Sequence, residues 1–138
     1  MLHDFPATVD DLLEIHYENL TKNQLIYLVS QYRLDIQGNW YQLGMVINRL
    51  HFCMRKGEFI GVLKSYNIGS GTAIWLREMA AKFFTMKQVP PQDLPWRKLA
   101  EVYRLMNTES YDRMITFCEG KSARELQIAR LTNQLAWV

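Results

Sequence analysis

Residues 40–54 read WYQLGMVINRLHFCM, and this stretch decides the fold class. Its large apolar residues follow one another at steps of three and four positions, which keep side chains on one face of an α-helix. A strand would instead need alternation with a period of two. The predicted face comprises Trp40, Leu43, Ile47, Leu50 and Met54. We expect the helix to end near Lys56 and Gly57, because glycine is common just past a helix C-terminus.

The same helical spacing recurs before this stretch. Thr8 predicts the N-cap of a first helix, and Thr21 with Gln24 predicts a capping box that opens a second one. Residues 38–39, Gly-Asn, are expected to separate that second helix from the central one. Alternation with a period of two is not sustained anywhere in the chain, so the sequence predicts an all-α fold.

Beyond the central helix the pattern predicts a helix, a turn and another helix. A short helix is expected from Glu58, and a longer one is expected to run to about Phe84. The inner face of the longer helix would contain Ala73, Leu76, Ala80 and Phe83. Residues 87–95 hold three of the four prolines and predict a linker.

The C-terminal part is also predicted to be helical. We expect one helix with Pro95 in its first turn, one that ends at Gly120, and a last one opened by a capping box of Ser122 and Glu125. The predicted organisation is a single all-α domain over residues 1–138. Its parts are N-terminal helices in 1–57, a helix-turn-helix in 58–86, the linker in 87–95 and C-terminal helices in 96–138.

The composition describes a chain that can bury a core. Of its 138 residues 49% are hydrophobic, which is enough for one compact domain. No apolar run is long enough to span a bilayer, and no charged-then-apolar leader opens the chain, so we expect a cytoplasmic protein without membrane contact. Cys53 and Cys118 lie far apart in segments with helical spacing, and they predict buried free thiols in a reducing compartment.

The net charge of +2 conceals an uneven distribution. Residues 1–50 carry three Lys/Arg and six Asp/Glu, whereas residues 51–138 carry thirteen and eight. A basic second half is what a phosphate-binding surface needs, although a difference of this size is also common on a solvated surface. Charge alone therefore does not choose between these interpretations.

Residues that could support an enzyme or a bound metal do not form a recognisable group. His51 and Cys53 make a His-x-Cys pair, but neither has the closely spaced partner of a structural zinc site. The acidic residues from Asp10 to Glu18 suit the dipole of a first helix and are interpreted as a solvated face. We therefore expect no catalytic residue, no metal site and no cofactor.

The segment KSYNIGSGTAIWLR, residues 64–77, carries the sharpest functional signal. In a DNA-reading helix-turn-helix a tight turn joins the two helices, and packing sets the sequence. Asn67 accepts the left-handed backbone that such a turn requires. Ile68 is expected to fill the angle between the helices, and Ala73 is small enough for a close crossing. Many helical hairpins without a nucleic-acid role share these features, so spacing alone leaves both interpretations open.

Residues around this turn are the candidate DNA contacts. N–H groups and hydroxyls at a helix start bind phosphate, and an arginine further along reaches a guanine edge or a phosphate. Trp75 is bulky for a position that faces a DNA groove, and the second helix is longer than a usual recognition helix. The predicted DNA-binding residues are Lys64, Ser70, Thr72, Trp75, Arg77 and Lys82.

Residues 43–83, which begin LGMVINRL, resemble a family of phage- and plasmid-borne proteins of unknown function. In that family an amphipathic helix leads through a Gly-Glu-Phe type junction, here residues 57–59, into a hydrophobic helix, a turn and another helix. Residues 94–106 and 118–131 are similar to the downstream helices of this family and of plasmid partition-type helix-turn-helix proteins. The resemblance implies a DNA-binding regulator, or a replication or maintenance accessory, of a mobile element.

The sequence supports two functional hypotheses from different classes. The first is a helix-turn-helix protein that binds double-stranded DNA as a homodimer, because one such unit buries little surface on DNA. The second is a small helical adaptor or inhibitor that binds another protein through its acidic first helix or the aromatic tail around Trp137. The first expects one exposed face to carry Ser70, Thr72 and the cations of the turn region, whereas the second expects a contiguous apolar patch elsewhere.

Overall fold

The computed structural model describes residues 17–88, 91 and 93–132. Within these residues every regular element is a helix, which confirms the predicted all-α fold. The α-helices are α1 (Lys22–Tyr32), α2 (Ile36–Cys53), α3 (Lys56–Ser65), α4 (Ser70–Met86), α5 (Trp96–Val102), α6 (Tyr111–Glu119) and α7 (Ala123–Leu131). Short 3-10 turns cover Tyr17–Asn19, Arg33–Asp35 and Tyr103–Leu105. The helix predicted after Thr8 and the tail around Trp137 lie outside the described residues.

The chain divides into two compact units, residues 1–90 and 91–138. Helices α1 to α4 belong to the first unit, and α5 to α7 belong to the second. The boundary falls within residues 87–95, where the sequence places a linker. The grouping of all helices in one domain stays a prediction. No helix of the described segments has the length and apolar character needed to cross a membrane.

Helices α2 and α4 form the centre of the first unit. The predicted face of α2 is buried at Trp40, Leu43, Ile47 and Leu50. The predicted inner face of α4 is buried at Ala73, Leu76, Ala80 and Phe83. The Trp40 and Phe83 rings meet edge-on with their centroids 5.2 Å apart. Both faces therefore follow the helical periodicity of the sequence.

The backbones of α2 and α4 approach closely at Gly44. A Cβ atom built on this glycine would collide with the carbonyl oxygen of Leu76, and it would lie 2.7 Å from the Cβ of Ala80. A backbone carbonyl in a packed helix cannot move aside as the end of a flexible side chain can. Only glycine therefore allows this crossing.

Helix α1 packs against α2. The Thr21 hydroxyl accepts a hydrogen bond from the Gln24 N–H at 3.2 Å, and the Gln24 side-chain oxygen accepts one from the Thr21 N–H at 2.8 Å. These two bonds confirm the predicted capping box. Leu25, Val29 and Tyr32 are buried, at the spacing of one helix face.

Helix α2 begins earlier than the sequence suggests. It starts at Ile36, because the Asp35 carboxylate caps it by accepting a hydrogen bond from the Gly38 N–H at 3.0 Å. Gly38 and Asn39 lie within the range of α2, but the predicted break at these residues is confirmed as a kink between two helical segments rather than as a loop. Asn39 has non-helical angles (φ −124°, ψ 16°) and produces a kink there.

Helix α2 also ends earlier, at Cys53, because Met54 takes an extended conformation (φ −117°, ψ 151°). Helix α3 consequently begins at Lys56, two residues before the predicted Glu58. All three residues of the last α2 segment, 51–53, are exposed. The prediction of a buried thiol is therefore wrong for Cys53, and it is confirmed for Cys118.

The second unit contains α5, α6 and α7. Helix α5 begins at Trp96 with Pro95 at the N-cap position, one residue before the first turn in which this proline was expected. Leu99 and Val102 are buried. Burial also raises the pKa of the Cys118 thiol of α6 to about 11.

The predicted C-terminus of α6 and the predicted N-terminus of α7 are both confirmed. Helix α6 ends at Glu119 with Gly120 as its C-cap. The Ser122 hydroxyl accepts a hydrogen bond from the Glu125 N–H at 3.1 Å, and the Glu125 carboxylate accepts one from the Ser122 N–H at 2.9 Å. This second capping box opens α7.

Candidate functional site

A tight turn joins α3 to α4. Asn67 has a φ of 57°, which is the left-handed conformation predicted for it. The Asn67 N–H donates to the Lys64 carbonyl at 3.1 Å, and the Ile68 N–H donates to the Leu63 carbonyl at 2.9 Å. This pair of bonds is a Schellman motif. Leu63 and Ile68 are both buried, as the apolar contact of that motif requires.

The start of α4 is exposed and carries no negative side chain. Gly69 occupies the N-cap position in an extended conformation, and no side chain caps the helix. Ser70 and Gly71 are exposed, and the first turn contains no carboxylate. The first N–H groups of an α-helix lack intrahelical acceptors, and the macrodipole places positive charge there. This helix end is therefore compatible with an anion.

The predicted contact residues of α4 lie on two flanks of the helix. Successive residues rotate by about 100°, so residues five positions apart are separated by about 140°. Ser70 and Arg77, seven positions apart, share the first flank. Trp75 and Lys82 share the second flank. Thr72, which is five positions before Arg77, also lies on the second flank. The single exposed face that the DNA hypothesis expected to carry these residues is therefore not formed.

Several cations of α3 and α4 form no ion pair with any described residue. They are Lys56, Lys64, Arg77 and Lys82. Lys64 is exposed in the last turn of α3, directly before the connecting turn. By contrast, Lys22 of α1 pairs with Glu58 of α3 at 3.2 Å, and this hydrogen bond lowers the pKa of the Glu58 carboxyl. Unpaired positive charge thus lies on both sides of the turn.

A groove of about 530 Å³ lies between α3, the end of α2 and the first flank of α4. Its apolar lining comprises Met54, Phe59, Ile60, Leu63, Ala73 and Ile74. Its polar lining comprises His51, Lys56, Ser70 and Arg77. None of these residues is acidic, so the groove is apolar inside and positively charged at its edge.

Apolar surface stays exposed along the groove. Ile60 on α3 is 41% exposed and Ile74 on α4 is 44% exposed, although both line it. The His51 ring packs edge-on against Phe59, with ring centroids 5.3 Å apart. The Nε of Arg77 is buried and has no hydrogen-bond acceptor among the described residues. Arg77 as a whole is partly exposed, so the outer part of its guanidinium group is what an anion in the groove can reach.

The groove could not be found from the sequence of any one helix, because three helices form it. His51, Lys56 and Ile60 were therefore not identified as functional residues. The sequence did contain one signal for the α4 side of the groove. Ser70, Ile74 and Arg77 follow one another at steps of four and three, so a polar, an apolar and a basic side chain share one flank.

No protein-family model, curated protein sequence or solved structure matches this chain. Within residues 17–88 and 93–132, no group of three or more His, Cys, Asp or Glu side chains could hold a metal ion. The resemblance to phage- and plasmid-borne proteins and the roles that it implies stay predictions. The turn, the start of α4 and the groove are the features of the described residues that bear on function.

Proposed function

We propose that this protein binds double-stranded DNA through the turn between α3 and α4 and the first half of α4. The observation that carries the proposal is the exposed, uncapped and carboxylate-free start of α4, which directly follows a Schellman turn. Such a helix start offers free N–H groups to phosphate. Lys64, which is exposed and forms no ion pair with a described residue, adds a cation directly before the turn that leads to that helix start.

The two flanks of α4 are compatible with this role. A helix that lies in the major groove has a sugar-phosphate backbone on each side. Arg77 and Lys82, on opposite flanks, would then reach phosphates of opposite strands. Ser70 and Ile74 would face base edges, where an apolar side chain contacts the methyl group of thymine. The half-buried Trp75 is assigned to support of the helix.

The proposal includes a homodimer and a mobile-element context. One helix of this size buries little surface on DNA, and pairing two units on adjacent half-sites gives the area that specific binding needs. The resemblance of residues 43–131 favours a regulator, or a replication or maintenance accessory, of a mobile element.

The first test is fluorescence anisotropy of a labelled random duplex, from low to physiological salt. We expect the logarithm of the affinity to fall against the logarithm of the salt concentration with a slope of about −3 to −5, which corresponds to about three to five phosphate contacts. Absence of binding even at low salt would contradict the proposal and favour the adaptor hypothesis.

Three variants locate the surface. Lys64→Ala, Arg77→Ala and Lys82→Ala should each weaken binding to random duplex and reduce the steepness of the salt slope by about one. Arg124→Ala is the matched control, because Arg124 is an exposed cation on α7. Equal loss in the control and in the three variants would remove the assignment to α3 and α4 and leave only a general charge effect.

A further inference from the structure

We infer that the groove between α3 and α4 binds a small amphiphilic carboxylate, with an apolar chain lying along the groove and its anionic end at the cations. The inference does not depend on DNA binding, since it rests on the lining of the groove alone. Medium-chain fatty acids have this chemistry.

The charge of the groove defines the anionic end. Lys56 is the first residue of α3, and Arg77 lies two turns into α4, so each lies away from the connecting turn along its own helix, and both line the groove. Neither is in an ion pair with a described residue. A carboxylate placed between them would accept charge-assisted hydrogen bonds from the guanidinium group.

The size and polarity of the groove define the rest of the ligand. The lining segments Lys56–Leu63 and Ser70–Arg77 each span seven steps of an α-helix, which is about 10 Å of length. The volume of about 530 Å³ lies in the range of small-molecule sites, roughly 300–1,000 Å³. Phe59 and Leu63 of α3 and Ala73 of α4 provide an apolar floor toward the turn.

Charge also argues against a second copy of this chain as the occupant. A symmetric contact through this face would bring Lys56 and Arg77 of one protomer near the same cations of its partner, with no carboxylate in the groove to balance them. The cationic edge is instead complementary to a negatively charged ligand.

The test is titration of the full chain with decanoate, below its micelle concentration, by calorimetry and by NMR shifts of backbone amides. Decanol and decyltrimethylammonium serve as neutral and cationic probes with the same chain. We expect saturable binding of one decanoate, with shifts at residues 56–63 and 70–77, and binding of decanol that is weaker by roughly tenfold or more.

Variants separate the groove from general charge. Arg77→Gln should weaken decanoate binding by roughly 10- to 100-fold, the effect of a lost hydrogen bond to a charged group. Ile74→Trp, which fills the groove from its rim, should also reduce binding. Lys82→Gln is the matched control, since Lys82 lies on the second flank of the same helix, and it should bind within about twofold of the parent. Thermal melting of each variant shows that it is folded.

Three results would overturn the inference. They are the absence of saturable decanoate binding to the parent, equal affinity for decanoate and decanol, and equal effects of Arg77→Gln and Lys82→Gln in folded proteins. Binding of an acidic amphipathic peptide to the groove with no binding of decanoate would likewise overturn it, and would identify the groove as a protein-docking surface.

Discussion

Helix α4 makes two contacts of opposite kinds in the first unit. Against α2 it is closed, because Gly44 lets the backbones meet and Trp40 packs on Phe83. Against α3 it is open, and a groove of about 530 Å³ separates Ile60 from Ile74. The face of α4 that contacts α2 is therefore tightly packed, and the neighbouring flank leaves room for a ligand.

This difference separates stability from function on a single helix. Close packing at the α2 contact removes apolar surface from water and supplies most of what holds α4 in place. At the α3 contact apolar side chains stay in water, which costs free energy in the unbound protein and is typical of binding surfaces. Substitutions at the two contacts should consequently affect different measurements.

The largest effect is expected from truncation at the closed contact. Leu76 is fully buried, so Leu76→Ala should lower the free energy of unfolding by about 3 kcal/mol through lost burial and the resulting cavity. Ile60→Ala removes a side chain of similar size at the open contact and should cost less than about 1 kcal/mol. Urea unfolding followed by far-UV circular dichroism measures both, and equal costs would break the distinction.

The second effect concerns how closely the backbones of α2 and α4 approach each other at Gly44. Gly44→Ala should destabilise the protein by about 2 kcal/mol, because its methyl group must displace the Leu76 carbonyl. Gly61→Ala is the control, since a Cβ at Gly61 of α3 meets nothing within 4 Å. The control should be stabilised by about 0.5–1 kcal/mol from helix propensity. A stable Gly44→Ala protein would show that the two helices can move apart.

The third effect links the open contact to the proposed DNA surface. Ser70, Ile74 and Arg77 belong to both the groove and the proposed contact with DNA, so decanoate should compete with duplex DNA. At a free concentration of ten times its Kd, the apparent Kd for DNA should rise roughly tenfold. Decyltrimethylammonium at the same concentration is the control. Simultaneous binding of decanoate and DNA without mutual weakening would separate the two surfaces.

Local sequence signals predicted much of the described fold. Both capping boxes, the left-handed Asn67 and the burial of Ile68 depend on interactions within a few residues, and each is confirmed. The end of α2 at Cys53 was not predicted. Its extended neighbour Met54 is neither a glycine nor a proline, so no local signal marks the break.

Features that arise from contacts between helices were harder to predict from the sequence. The need for glycine at position 44 arises from α4, some thirty residues later in the chain, and the groove needs three helices at once. Helical periodicity alone predicts that Arg77 lies on one flank of α4 and that Lys82 and Thr72 lie on the other. Small polar residues and cations near one turn suggested a common face, although their spacing places them on two flanks.

The smallest effect concerns the side of α3 that faces α1. The Lys22 ammonium lowers the pKa of the Glu58 carboxyl, so the folded state holds this carboxylate more strongly ionised than the unfolded state does. Stability from this pair is present above the ordinary pKa of 4.5 and is lost as the pH falls through the lowered value. Lys22→Gln should therefore lower the Tm slightly at pH 7 and leave it equal to that of the parent in strong acid.

The control for this pair is Lys64→Gln, which removes a cation of α3 that has no ion-pair partner among the described residues. It should leave the pH dependence of the Tm unchanged. Because both partners of the pair are about half exposed, salt should also reduce the Lys22→Gln effect. A large effect that persists in acid or high salt would show that Lys22 holds α3 through packing of its aliphatic chain, and the open groove would then depend on α1 as well as on α4.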